Sequence, residues 1–229
     1  VAVLALAGTM AAPSATGRAD TADPLGAELM RLTNLDRSAF GKPALTVDPT
    51  LAAFAHDRSF ACPTNPSLVL RGRAQDMADR GYFDHSIGGC LRADGTTVSV
   101  LDVMADSFGY RTARAENIAW NTYGTEAATY GYGCAIDGSA CAGTTPTIKT
   151  VESAERAFMQ SSGHRATILG SFDRFGCGSA LAADGRRIYA CVFSLGGSTL
   201  SSLPSPAPDP VRPAFGSLTG VGPVRVGAS

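Results

Sequence analysis

Histidine is scarce in this chain, with three among 229 residues, so any chemistry that needs an imidazole has few places to reside. An excess of charge of one sign is also lacking. Nineteen basic and twenty acidic residues leave a formal net charge of −1, which provides no electrostatic footprint for nucleic acid or an anionic membrane. The six cysteines include no Cys-x-x-Cys pair, which argues against a Cys/His zinc site. No Gly-x-Ser-x-Gly elbow occurs, so Ser86 beside His85 does not read as a serine-hydrolase nucleophile. No apolar run is long enough to span a bilayer.

Three short strings carry most of the information. They are Gly-Tyr-Phe-Asp-His at Gly81–His85, Glu-Asn-Ile-Ala at Glu116–Ala119 and Ser-Gly-His-Arg at Ser162–Arg165. Two of the three histidines lie in these strings, and the remaining string supplies a carboxylate. If folding brings them together, they form a His/Glu cleft. The third histidine, His56, follows Ala55 on an expected helix and reads as a partly exposed helical residue. Asp84 is placed to cap or orient the loop before His85, and Arg165 to hold a helix end or a nearby carboxylate.

The length and the 45% hydrophobic content suit one core of ordinary size, in one domain with ragged ends. Val1–Ala12 is a short apolar run followed by small residues and the candidate cleavage site Gly17-Arg18-Ala19, which predicts a signal-peptide remnant over residues 1–19. The six cysteines agree with an oxidising, extracellular setting, with periplasm or cell surface as related destinations. Six cysteines allow fifteen pairings. Cys177 and Cys191 flank the turn signal Ala183–Gly185, and antiparallel pairing centred on Asp184 sets them opposite each other. Cys134 and Cys141 can staple one glycine-rich loop, which leaves Cys62 with Cys90.

Helix starts are well marked. Asp23-Pro24 and Asp48-Pro49 each offer an N-cap followed by proline at the first helical position. Apolar residues then recur at helical spacing, at Leu25, Leu29 and Leu32 and at Leu51, Phe54 and Ala55. A third helix is expected over Arg71–Arg80 with Gly81 as its stop, a long loop over Ser86–Asp106 with a short helix at Val98–Met104, and an extended stretch over Glu116–Trp120. Gly124–Thr147 reads as an irregular insertion. Helices follow at Glu152–Gln160 and, after Ser161 as N-cap, through His164 to Leu169. A hairpin pairs Phe175–Ala182 with Arg187–Ser194. Residues 204–229 are rich in proline and glycine without periodicity and read as a disordered tail. Helices first and strands later argue for an α+β fold with helices packed on an antiparallel sheet.

The ordered set Asn34–Arg37 followed by Gly-Lys-Pro-Ala-Leu, Leu51-x-x-x-Ala55, Asp76-Met77, the three strings above, Ala-Thr-Ile-Leu after Arg165, and Phe-Gly-Cys-Gly at Phe175–Gly178 resembles the CAP superfamily. That superfamily comprises cysteine-rich secretory proteins, antigen 5 and pathogenesis-related proteins, and the chain is most similar to its bacterial secreted branch, over residues 25–195. The resemblance implies an α-β-α sandwich with a central antiparallel sheet flanked by helices. It further implies a cleft with two histidines, here His85 and His164, and with Glu116, in many members holding zinc or another divalent cation through the histidines. A second cleft glutamate of animal and plant members falls at Ser161 here, and Phe158 stands at the position of their tryptophan.

Two neutral imidazoles, a carboxylate and water would suit four-coordinate zinc, whereas Glu116 could equally fix the tautomer of one histidine. Two functional classes follow from the resemblance. One is a secreted, monomeric binding module for a small hydrophobic ligand such as a lipid or sterol, or for a peptide or cell-wall fragment. The other is a metal-assisted extracellular hydrolase. A hydrolase needs a general base beside the metal, and Ser161 removes the usual one. Binding is therefore the favoured reading, with Glu155 and Asp173 as the carboxylates whose placement discriminates.

Overall fold

A computed structural model describes residues 23–123 and 150–200. The expected signal-peptide remnant, the insertion with Cys134 and Cys141, and the Pro/Gly-rich tail lie outside the described residues. Helix α1 (Pro24–Ala39) and helix α2 (Pro49–His56) start where the Asp-Pro pairs placed them, and each N-cap carboxylate accepts a backbone N–H of the first turn. Between them runs β1 (Thr46–Val47). Hairpin β2–β3 (Phe60–Cys62, Asn65–Leu70) follows, then α3 (Arg73–Arg80). Next come β4 (Ser86–Leu91), β5 (Thr97–Ser99), α4 (Val100–Asp106) and β6 (Arg114–Asn121). After the undescribed stretch come α5 (Val151–Gln160), α6 (Ser162–Ile168), β7 (Arg174–Leu181) and β8 (Arg187–Ser194).

The main sheet has the order β1-β7-β8-β6 and is antiparallel except for the short parallel pair β1–β7. Side chains alternate between its faces. Ile118, Ala180, Ile188 and Ala190 pack with Ala74 and Met77 of α3, and Val192 packs with Leu51 and Phe54 of α2. The other face carries Phe175, Cys177, Tyr189, Cys191 and Phe193 against Leu29 and Leu32 of α1, Ala154 and Phe158 of α5 and Ile168 of α6. Helices therefore cover both faces, and the fold is the expected α+β sandwich. Its apolar layers form because each strand alternates and each helix contributes one apolar stripe.

Two motif residues explain why α1 sits where it does. Asn34 clamps Leu45 from both sides, donating to its carbonyl at 3.0 Å and accepting its N–H at 2.8 Å. Arg37 is buried, and its guanidinium donates to the carbonyls of Pro43, Ile168 and Gly170, which ties the end of α1 to the end of α6. A cation there also complements the carbonyl end of the α6 dipole. The glycines of Phe-Gly-Cys-Gly are required by close packing. A Cβ on Gly176 would stand 2.0 Å from the Ala52 nitrogen, and one on Gly178 2.3 Å from the His56 nitrogen.

The disulfide Cys177–Cys191 forms as the spacing about Asp184 predicted, and Cys62–Cys90 forms as the pair left over. The loop expected over Ser86–Asp106 is corrected: it contains hairpin β4–β5, and its helix begins at Val100. Burial of Ile87, Cys90 and Val98 and the expected bridge to Cys62 hold that hairpin, and the burial is not visible in a glycine-rich string. The helix starts later because Ser99 and Asp102 close a capping box around its first turn. Likewise α3 begins at Arg73, two residues later than expected, with Gly72 pressed on the backbone of Asp57.

Candidate functional site

Strand β6 lies at the edge of the main sheet, and its consecutive residues Glu116 and Asn117 project to opposite faces. Glu116 points toward α3. One of its oxygens accepts Arg73 Nε at 2.6 Å, and the other lies 2.7 Å from His85 Nδ1 and 3.5 Å from Arg73 Nη2. The Arg73 and Glu116 side chains are 0% and 1% exposed, whereas that of His85 is 58% exposed. The carboxylate thus anchors an imidazole that stands in solvent.

Arg73 was not singled out in the sequence, yet it organises this region. It donates to the Tyr82 hydroxyl at 2.9 Å and to the Asp84 carbonyl, one residue before His85. Tyr82 in turn donates to Asp76, which pairs with Arg80 at 2.6 Å. Burial pushes the Tyr82 hydroxyl up to about 12, so it stays a donor. A sequence signal for Arg73 existed. It lies four residues before Met77 on the apolar stripe of α3, and a buried arginine at such a place requires a buried acceptor.

The hydrogen bond that His85 donates to Glu116 raises the pKa of His85, with burial opposing it, and the negative charge of Glu116 adds to the rise. Because the paired carboxylate is an acceptor, His85 carries its proton on Nδ1 when neutral and offers the Nε2 lone pair outward. Asp84 accepts the Ser86 N–H at 2.7 Å, in keeping with the orienting role expected of it in the loop around His85, and that bond lowers its pKa.

His164 approaches from the opposite face. It lies in the first turn of α6, where Asn117 Nδ2 donates to its carbonyl at 3.0 Å and the Phe158 ring meets its imidazole edge-on at 5.2 Å between centroids. Burial lowers its pKa, and the nearby charge of His85 lowers it further, so the imidazole is held neutral. Arg165 donates to the Met159 carbonyl at the end of α5, as a helix-end residue should. Ser161 is the N-cap position of α6, but its side chain makes no capping bond.

The remaining candidates lie elsewhere. Glu155 is buried beside Thr33 of α1, whose hydroxyl donates to it at 3.1 Å, and Asp173 accepts the Gly196 N–H at 2.7 Å. His56 is the partly exposed residue of α2 that the sequence led us to expect, with its side chain 16% exposed and its Nδ1 donating to the Ser179 carbonyl at 2.9 Å. Among the described residues β1 pairs with β7 only at Arg174 and Phe175, so the Ser179 carbonyl is met by this side chain. Among the described residues no group of three or more His, Cys, Asp or Glu side chains is arranged to hold a metal ion.

The profile of the cysteine-rich secretory protein family matches residues 30–193, a span that runs from within α1 to the penultimate residue of β8 and holds all three site strings. Protein YkwD of Bacillus subtilis, itself uncharacterized, is 30% identical over 154 residues, which are 66% of this chain and 40% of the relative. The chain thus spans well under half of that curated relative's length. Among solved structures, an outer surface protein of Borrelia burgdorferi aligns at 13% identity and a TM-score of 0.46, covering 74% of this chain and 90% of the other. A cysteine-rich secretory protein of Staphylococcus aureus aligns at 16% identity and a TM-score of 0.40, covering 76% of this chain and 39% of the other. With the family profile spanning most of the chain and its motif residues accounted for by the packing, this protein belongs to the cysteine-rich secretory protein family, the CAP superfamily.

Proposed function

We propose that the protein is an extracellular binding module whose ligand enters beside His85 and His164, with a divalent cation such as zinc held by His85 Nε2 and the His164 ring. The observation that carries this reading is the Arg73–Glu116–His85 chain. It fixes one imidazole with its free nitrogen outward, the arrangement by which a carboxylate prepares a histidine ligand. Both oxygens of Glu116 are engaged, so the carboxylate orients His85 and is not itself a ligand. Two protein ligands bind zinc weakly and leave coordination positions for a ligand or water.

The ligand classes in view are a lipid, sterol or other small hydrophobic molecule, a peptide, or a cell-wall fragment. Binding is favoured over metal-assisted hydrolysis because the two carboxylates that could replace the missing second glutamate, Glu155 and Asp173, are committed elsewhere. Two disulfides support a life outside the reducing cytosol. Among the described residues no helix is long and apolar enough to cross a membrane.

Calorimetric titration with zinc tests the site. Wild type should bind more weakly as pH falls and the imidazoles protonate, with His85 losing its lone pair at a higher pH than His164. His85→Ala and His164→Ala should each abolish binding while the protein stays folded. Equal affinity in all three proteins would eliminate the shared site.

A further inference from the structure

Helices α1 and α2 both rest on β7, and a cavity of about 320 Å³ lies between them. One stripe of each helix lines it. Pro49, Ala52, Ala53 and His56 of α2 are spaced as neighbours on one helical face, and Asp23 caps α1 with Met30 about two turns on. The core takes the adjoining faces, Leu29 and Leu32 of α1 and Leu51 and Phe54 of α2. Ala52 and Ala53 are half-buried on the flank that remains, and their short side chains create the space.

The cavity is polar in one part and apolar in the rest. Asp23 Oδ2 lies 3.4 Å from His56 Nδ1, and each stripe runs from this pair over about 10 Å of helix rise to Met30 or Pro49. Two elements fix the carboxylate in place. One oxygen accepts the Leu25 N–H at 3.2 Å and the Ser179 hydroxyl at 2.9 Å, and the other accepts the Ser179 N–H at 2.5 Å. All three donors are uncharged, so they orient the carboxylate and leave its negative charge in place. His56 gives its Nδ1 proton to the Ser179 carbonyl at 2.9 Å. Beyond it, Asp57 lies 3.8 Å from Arg71, and those two charges offset each other.

A fixed carboxylate beside apolar walls selects an occupant by its chemistry. The Asp23 side chain is 11% exposed, so its charge is screened less than that of a surface group. It repels an anion. A neutral alkyl chain would strip water from the carboxylate without replacing the hydrogen bonds, which is costly. An ammonium group on an alkyl stem suits both parts, because it donates to the carboxylate while the stem lies along Ala52, Ala53 and Met30. The volume is that of a site for a small molecule.

We propose that this cavity binds a free primary alkylamine, with the ammonium group against Asp23 and the alkyl stem directed toward Met30 and Pro49. The cavity flanks β7, whereas the His85 and His164 cleft surrounds β6 at the other side of the sheet order, so the two sites succeed or fail separately.

The test is an amide NMR titration of the full chain at neutral pH with n-hexylamine, n-hexanol, hexanoate and methylamine. Hexylamine should shift the Ala52, Ala53 and Ser179 amide resonances saturably. It should bind about tenfold more tightly than hexanol, which lacks the charge, or methylamine, which lacks the stem, and hexanoate should not bind. Asp23→Asn keeps a good N-cap residue and removes the charge, so it should lower hexylamine affinity about tenfold and leave that of hexanol unchanged. Ala53→Leu, which fills the cavity, should weaken hexylamine binding about tenfold. No saturable shift with hexylamine, or equal binding by hexanol, methylamine or hexanoate, would overturn the proposal whether or not the variants fold. Unchanged hexylamine affinity in folded Asp23→Asn would overturn it as well.

Discussion

Glu116 and Asn117 are neighbours on one edge strand, and each holds a different histidine region from opposite faces of the sheet. Glu116 hydrogen-bonds the His85 ring, and Asn117 hydrogen-bonds the His164 carbonyl. The Glu-Asn dipeptide therefore acts as a two-sided bracket, since side chains alternate along a strand. Its geometry depends on β6 remaining in register with β8, where Glu116 lies opposite Val192 and Asn117 opposite Cys191.

Arg73 should prove a main structural support of the cleft. Arg73→Met leaves the buried Glu116 carboxylate without its cation and should cost about 3–5 kcal/mol, read as a lower urea midpoint. The double variant Arg73→Met/Glu116→Leu should be less destabilised than Arg73→Met alone, because it removes the orphaned charge. A double variant that falls by the sum of the single losses would contradict this account.

Asn117→Ala should weaken the α6 side of the cleft without removing a ligand atom. Loss of the bond to the His164 carbonyl should cost about 1 kcal/mol of stability in chemical denaturation. Zinc affinity should fall, but by much less than in His164→Ala. Affinity lost as fully as in His164→Ala would show that Asn117 does more than anchor the helix.

Glu155 should make the fold less stable as pH rises. Burial raises its pKa well above the ordinary value, and the nearby Asp36 carboxyl adds to the effect. The native state therefore keeps a proton that the unfolded chain releases near pH 4.3. The stabilisation from that proton is complete below the unfolded pKa and declines as pH rises toward the folded pKa. Glu155→Gln removes this decline, so its melting temperature should exceed that of wild type at pH 7 and the gap should close near pH 4. A gap that is constant with pH would show that Glu155 is ionised in the native protein.

Gly178→Ala should destabilise by about 1–3 kcal/mol, because the new methyl meets the α2 backbone at His56, which cannot yield as a flexible side chain would. Gly185→Ala is a useful contrast. That turn glycine has φ of +85° but nothing within 4 Å of an added Cβ, so its cost is conformational and not steric. Thermal melts of the two variants at low and high pressure should separate these causes through a larger volume effect in Gly178→Ala.

Several elements were legible in the chain because their causes are local. The Asp-Pro pairs cap α1 and α2 through contacts within three residues, and the turn around Asp184 places Cys177 opposite Cys191 by counting alone. His85, Glu116 and His164 were recognisable as a set by motif, since scarce residue types stand out in short strings. Hairpins β2–β3 and β4–β5 were not, even with the Cys62–Cys90 bridge expected, because burial holds strands whose own alternation is weak. The role of Glu116 was likewise open between metal ligand and orienting group. The choice depends on Arg73, 43 residues away, which occupies the carboxylate with its own fork. Residue type and spacing determined which groups could share a cleft. Tertiary structure alone decided which of their atoms remain free, because a hydrogen bond spends a lone pair or proton only when folding brings its partner within reach.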